Sequence, residues 1–233
     1  MAGERIAAIM PAAGSGARLG GERKQFRLLG DEPLLLRTAR VFAAHPQIDL
    51  LVLTLPEADH AEIAALLEAA ALDVPVLLAP GGATRQASVR SALRRLPPDV
   101  DMVLVHDAVR PFIRAEQISR VIEGVRTTGA AALAVELTDT LRRGDRARFG
   151  ETIPRDGLYR MQTPQGARRA WYEEAHAAAE RDGVDATDDV ALVQRLGYPV
   201  AIVAGGPLNM KVTTPADWEL AVALWPFWTS MET

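Results

Sequence analysis

Three absences narrow the reading of this chain before any motif is considered. Among its 233 residues there is no cysteine, which excludes a disulfide framework, a thiolate nucleophile and a Cys-ligated zinc site. That agrees with a reducing cytosol, so a cytoplasmic protein is expected. No apolar run approaches the ~18 uninterrupted residues that a membrane span requires. The first run, Ile6 to Met10, is far too short, and Met1 to Arg5 ahead of it lacks the layout of a signal peptide. Positive charge is also scarce: 26 Lys and Arg stand against 30 Asp and Glu, for a formal net charge of -4. A general nucleic-acid binder would normally be basic. Neither a membrane nor a nucleic acid is therefore expected as a partner, and any phosphate must be held by local cationic groups. The sequence has no internal repeats, and Pro97-Pro98 reads as a turn, not a linker.

What is present fits one α/β domain over residues 1–233, since 48% of the residues are hydrophobic and the length allows a sizeable core. Short apolar runs alternate with helical patterns. Ile6 to Met10, Leu50 to Leu55, Val74 to Leu78, Met102 to Val105, Ala131 to Val135 and Val200 to Val203 read as strands. Several are apolar without alternation, as in parallel strands covered on both faces. Ile118, Val121, Ile122 and Val125 follow the spacing of one buried helical stripe. Ile63, Leu66 and Leu67 do likewise, as do Val89, Leu93 and Leu96. The alternation implies a doubly wound, mostly parallel sheet, whose ligands sit at the carboxyl ends of the strands. Thr138 to Tyr159 breaks the rhythm. It is charged, lacks a helical period and carries Gly144-Asp145 between two extended halves, which predicts a projecting hairpin with little core of its own.

After the first strand comes Pro11-Ala12-Ala13-Gly14-Ser15-Gly16-Ala17-Arg18-Leu19-Gly20-Gly21. Small residues and glycines let the backbone approach a ligand and aim several N–H groups at one anion. Arg18 and Lys24 add the cations that a triphosphate needs. Two familiar fingerprints fail here. In the dinucleotide pattern Leu19 occupies the place of the third glycine, and the ribose-binding acid is missing. In the P-loop spacing from Gly16 to Gly21, Glu22-Arg23 replaces the required Lys and Ser/Thr.

Pro11 to Leu19 followed by Lys24-Gln25-Phe26 resembles the nucleotide-binding loop of the 2-C-methyl-D-erythritol 4-phosphate cytidylyltransferases. Four further blocks match in order: Gly81 to Val89, Val105 to Phe112, Thr163-Pro164-Gln165, and Asn209-Met210-Lys211-Val212-Thr213. Thr187-Asp188-Asp189 also fits. The likeness covers nearly the whole chain. It departs at Arg23, where the family commonly has Pro, and at Val109, where it commonly has Ala; neither replaces a charged group that the chemistry needs.

The resemblance implies a Rossmann-like fold and transfer of CMP from CTP to 2-C-methyl-D-erythritol 4-phosphate, a step of non-mevalonate isoprenoid precursor synthesis. It implies that Arg18 and Lys24 stabilise the transition state, and that Ala12, Ala13, Gly14, Gly81, Gly82 and Ser88 contact the base and ribose of CTP. It places Thr140, Arg155 and Lys211 at the acceptor phosphate, with Arg110 and Thr163 nearby. It also makes the segment from Thr138 to Tyr159 an arm reaching into a second subunit, so that a homodimer shares its sites. Asp107, just past the strand Met102 to Val105, is read as holding Mg²⁺ or another divalent cation on the triphosphate, the alternative being a cap of the next helix. His106 reads as structural, because an ionised phosphate monoester needs no base.

Three rivals remain. A ribitol 5-phosphate cytidylyltransferase would carry very similar motifs. An NAD(P)-linked oxidoreductase would share the α/β pattern and the glycine loop. A nucleotide-binding module without catalysis could use the same cations.

Overall fold

The computed structural model describes residues 3–14 and 24–232. Its strands are β1 (Ile6–Pro11), β2 (Leu28–Leu29), β3 (Glu32–Pro33), β4 (Leu50–Leu55), β5 (Val76–Pro80), β6 (Met102–Val105), β7 (Ala130–Glu136), β8 (Leu141–Gly144), β9 (Phe149–Ile153), β10 (Tyr159–Arg168) and β11 (Ala201–Ala204). Its helices are α1 (Leu34–Ala43), α2 (His60–Ala70), α3 (Arg85–Leu93), α4 (Ala115–Thr128), α5 (Arg169–Arg181), α6 (Asp189–Arg195) and α7 (Pro215–Glu232).

Seven strands form one sheet in the order β11-β7-β10-β6-β1-β4-β5. All neighbours are parallel except β10, which runs antiparallel to both β6 and β7. The central strands read as continuous apolar runs because both faces are covered. In β1, Ile6, Ala8 and Met10 face a core shared with α1, α2 and α4. Ala7 and Ile9 face the opposite core, built with α3, α5 and α6. The helical stripe Ile118, Val121, Ile122 and Val125 is wholly buried in α4. That helix ends at Gly129, whose φ of 96° lies in the region that glycine adopts without strain. A third cluster sets α7, through Ala221 and Trp228, against Leu29, Leu34, Val109, Phe112 and Val212.

The second outer strand begins two residues later than its apolar run suggests, at Val76 instead of Val74. Leu96 is buried but lies beyond the end of α3. Between Thr138 and Tyr159 the chain forms the hairpin β8–β9, turning over Asp145 to Arg148, where the Asp145 carboxylate accepts from the N–H groups of Ala147 and Arg148. Tyr159 itself already belongs to β10. The hairpin residues are almost all exposed, and Phe149 at its tip is 82% exposed.

β10 is the one sheet strand whose apolar signal is weak. It pairs Met161 with Ala134 of β7 and Gln165 with Ala132, so four steps along β10 match two along β7. Such an irregularity re-aims side chains. Here it carries Gln162, Thr163 and Pro164.

Candidate active site

The carboxyl ends of β1, β5 and β6 open on a cleft of about 440 Å³. Its walls come from the segments after these strands: Ala12 to Gly14 after β1, Gly82 to Arg85 and Ser88 after β5, and Asp107 and Val109 after β6, with Gln25 and Lys211 from elsewhere. The parallel topology puts these ends on one side, which is why segments so distant in sequence meet.

The loop after β1 is held from behind. The Gln25 side-chain amide is buried and donates to the carbonyls of Ala12 (2.7 Å) and Gly14 (3.2 Å). The Ala12 N–H donates to Thr54 O at 2.9 Å and the Gly81 N–H to Leu55 O at 2.8 Å, which tie both loops to β4. Gly81 packs so close to this first loop that a Cβ there would stand 2.2 Å from the Ala13 Cβ. At Gly82 a Cβ would stand 2.4 Å from the Ala87 Cβ and 2.8 Å from its carbonyl carbon. Backbone approach therefore demands glycine at both. The Ser88 hydroxyl accepts from the Gly82 N–H and donates to Thr84 O, each at 3.0 Å, and Thr84 caps α3 by accepting from the Ala87 N–H.

Asp107 lies at the electrostatic centre. Its Oδ1 meets the Arg85 Nε at 3.1 Å, and its Oδ2 meets the Arg110 Nε and the Lys211 Nζ, each at 3.0 Å. Burial alone would push the carboxyl up; the Arg85, Lys211 and Arg110 charges outweigh it and hold the group far below the usual carboxylate range. Arg85 reaches the other way to Asp189, whose Oδ2 lies 2.5 Å from its Nη1. Burial opposes the charge on Arg85, but Asp189 and Asp107 keep it protonated well above its ordinary range. The Arg110 guanidinium also donates to Asn209 O at 2.8 Å, and the Val212 N–H to Val109 O at 3.0 Å, so the segment holding Lys211 is pinned to the Asp107 loop.

Behind this carboxylate, His106 is fully buried. Its Nε2 faces Arg110 O at 3.1 Å and its Nδ1 faces the Thr163 hydroxyl at 3.0 Å. A carbonyl can only accept, so Nε2 carries the proton and Nδ1 accepts from Thr163. The Thr163 Oγ1 in turn accepts from the Asp107 N–H at 3.1 Å. Burial, outweighing the bond to Arg110 and the nearby Asp107 charge, lowers the imidazole to about 4. A neutral ring whose two nitrogens are both engaged braces the loop and offers no free base.

A second cleft, of about 490 Å³, lies between α1, α4 and α7. Two of its polar groups are engaged with other residues, Arg40 with Glu32 and His45 with Ser119.

A profile of the 2-C-methyl-D-erythritol 4-phosphate cytidylyltransferase family matches residues 6–225. The chain belongs to this family. It is 53% identical over 223 residues to the family's enzyme in Salinibacter ruber, covering 96% of this chain and 94% of that one. The enzyme of Bacillus pumilus is 40% identical over 218 residues, with 93% and 95% covered. Among solved structures, the 2-C-methyl-D-erythritol 4-phosphate cytidylyltransferase of Thermus thermophilus superposes with a TM-score of 0.76 at 34% identity, covering 93% of this chain and 96% of that one. A 4-diphosphocytidyl-2C-methyl-D-erythritol synthase from Anaerococcus prevotii gives a TM-score of 0.83 at 29% identity, with 96% and 99% covered.

Against the expectations for a cytidylyltransferase of this family, Ala12, Ala13, Gly14, Gly82, Ser88, Asp107 and Lys211 line one cleft, with Gly81 directly behind Ala13. Arg110 stands at Asp107, and Thr163 is buried beneath it, with its hydroxyl used in holding His106 and Asp107. Thr140 and Arg155 are exposed at the base of the hairpin and do not line the cleft of their own chain; the Arg155 guanidinium donates to Thr138 O. Arg18 lies outside the described residues, and so does the side chain of Lys24. Two residues that the sequence left without a task, Arg85 and Gln25, stand at the cleft wall. Both fall inside matched blocks, which was the only signal available for them.

Proposed function

We propose that the chain transfers the cytidylyl group of CTP to 2-C-methyl-D-erythritol 4-phosphate, giving 4-diphosphocytidyl-2-C-methyl-D-erythritol and pyrophosphate in non-mevalonate isoprenoid precursor synthesis. The observation that carries this reading is the convergence of four family blocks on one cleft, where Arg85, Arg110 and Lys211 gather at Asp107. An oxygen of the acceptor phosphate attacks the α-phosphorus of CTP. The new P–O bond forms as the bond to the bridging oxygen breaks, and that oxygen leaves with the electron pair as part of pyrophosphate. Both reactants are anionic, so the work is positioning and charge neutralisation. Lys211 and Arg110 supply positive charge at the acceptor phosphate, and Arg18 and Lys24 at the triphosphate. The backbone of Ala12 to Gly14, with Gly81, Gly82 and Ser88, seats the base and ribose. Gln25 fixes this backbone through the carbonyls of Ala12 and Gly14.

Among the described residues no three His, Asp or Glu side chains gather as metal ligands. Among the described residues Asp107 alone presents a carboxylate to the cleft. That suits Mg²⁺, which keeps several waters and takes further oxygens from substrate phosphates. A cation bound there would neutralise charge on the triphosphate; Asp107 would hold it, and Lys211, the most exposed of its three present partners, would be freed to face phosphate.

The acceptor site is completed by a second copy of the chain. The hairpin buries almost nothing of its own, and Thr140 and Arg155 lie away from their own cleft. A two-fold dimer would place them at the partner's site. Among the described residues no helix is long and apolar enough to cross a membrane, and the reading is of a cytoplasmic homodimer.

The test is to incubate the protein with CTP and Mg²⁺, supplying either 2-C-methyl-D-erythritol 4-phosphate or ribitol 5-phosphate, and to follow pyrophosphate. Release should depend on the first acceptor and stop in excess chelator. Release only with ribitol 5-phosphate, or none with either, overturns the reading of the substrate. Undiminished release in chelator overturns the metal.

A further inference from the structure

The catalytic reading leaves a buried carboxylate unused. Asp189, the first residue of α6, is 1% exposed and does not line the cleft. Its side chain does not even cap its own helix, since Asp188 does that by accepting from the Ala191 N–H at 2.9 Å. Its Oδ2 meets Arg85 at 2.5 Å, while its Oδ1 stands 3.6 Å from the Nε2 of the equally buried His176. An ion pair buried merely for the fold is often replaceable by apolar side chains without loss, so its presence calls for another reason.

Arg85 raises the same question from the other end. It is the first residue of α3, where the helix dipole favours acidic side chains and disfavours a cation. A residue that opposes its local setting belongs to a site more often than to a scaffold. Its guanidinium spans Asp107 on the cleft wall and Asp189 beneath it.

One short segment sets the separation of these two carboxylates. On β10 the Thr163 hydroxyl accepts from the Asp107 N–H at 3.1 Å. Two residues on, the Gln165 side-chain carbonyl accepts from the N–H groups of Asp189 (3.0 Å) and Val190 (3.3 Å). Thr163 thus fixes the loop of one carboxylate and Gln165 that of the other, and Arg85 lies across the gap.

We propose that Asp189 is a positioning residue for the transfer reaction, acting through Arg85 to fix Asp107. Pinned at Oδ1 from behind, Asp107 keeps its place in the cleft when Lys211 turns to phosphate. Without Asp189, Arg85 has one carboxylate instead of two and is free to swing toward the triphosphate, taking Asp107 with it. The inference rests on the cytidylyltransferase reading.

The experiment is a double-mutant cycle on the full-length protein, after the wild type has shown acceptor-dependent pyrophosphate release. Inactivity of the wild type would fail the functional reading and not this one. Asp189→Asn keeps the shape and removes the charge; kcat should fall about tenfold while KM for CTP and acceptor moves less than about twofold, as expected when an interaction matters mainly in the transition state. In an Asp107→Asn background, assayed with enzyme in excess so that slow turnover is still counted, Asp189→Asn should change the rate by less than about twofold, because its target is gone. Losses that multiply in the double variant overturn the proposal, as does a single variant with unchanged kcat, or one in which only KM or the melting temperature moves. If Asp189→Asn does not fold, Arg85→Gln takes its place in the same cycle. A rise in the CTP KM that persists in the Asp107→Asn background would make Arg85 a direct substrate ligand and remove the role given to Asp189.

Discussion

His106 offers a direct test of the electrostatics of the cleft floor, because its state can be read in stability without any assay of activity. The imidazole is fully buried, donates to Arg110 O, accepts from Thr163 and lies against the Phe42 ring with centroids 4.8 Å apart. Unfolded, it takes up a proton near its ordinary value of 6.5; folded, only near about 4. Between those values the unfolded chain binds more protons, so the stability that neutral His106 contributes is complete above the unfolded value and is lost as pH falls toward the folded one. Lowering the pH from about 7.5 to about 4.5 should therefore cost the native state about 2.5 kcal/mol through this residue alone. The depressed carboxyls of Asp107 and Asp189 contribute little in that window, since their ordinary value of 3.8 lies below it. Urea unfolding of the wild type and of His106→Gln at both pH values isolates the effect, and the shift at His45, also lowered by burial, is common to both proteins. The wild type should lose about 2.5 kcal/mol more than the variant over the interval. Parallel pH dependences would mean that His106 is protonated in the folded protein, and the hydrogen-bond assignment around Thr163 would be wrong.

Two further outcomes are expected. Lys24→Ala should lower kcat much more than it raises the CTP KM, because charge on the phosphorus oxygens grows in the transition state; a change in KM alone would make Lys24 a ground-state clamp. Mixing inactive Lys24→Ala with inactive Arg155→Ala should restore about a quarter of the sites, since random exchange makes half the dimers mixed and each mixed dimer has one intact site. No recovery despite demonstrated exchange would place both residues in the same chain's site.

The strands whose bounds the sequence matched residue for residue were buried along their whole length. Leu50 to Leu55 and Met102 to Val105 coincide with β4 and β6, in which every residue is buried. β5 slipped by two residues: Val74 packs against the core but precedes the pairing, which starts at Leu51 opposite Val76. β10 was not read as a strand at all. Gln162, Thr163 and Gln165 are buried polar residues, and Pro164 argues against a central strand. The polar residues are tolerated because each finds a partner across the loops: Gln162 at Gly206 O, Thr163 at Asp107 and Gln165 at Asp189. No local pattern announces such partners. The same limit applied to the site. Glycines and cations flanking β1 were visible as a loop, whereas the bridge by Arg85 joins positions 85, 107 and 189, and only the folded sheet brings them together.

The irregular pairing of β10 also determines where the chain can change length. The turn from Asp145 to Arg148 is exposed and bonded only to itself, so residues added or removed there alter the reach of the hairpin and nothing else. Past Tyr159 that freedom ends. A single insertion between Met161 and Gln165 would slip the register against β6 and turn each following side chain to the opposite face. An insertion ahead of Thr163 would then take both Thr163 and Gln165 away from Asp107 and Asp189. Length variation among relatives of this protein should therefore collect at the hairpin tip and halt abruptly where β10 enters the sheet, a boundary set by hydrogen-bond register and not by distance from the cleft.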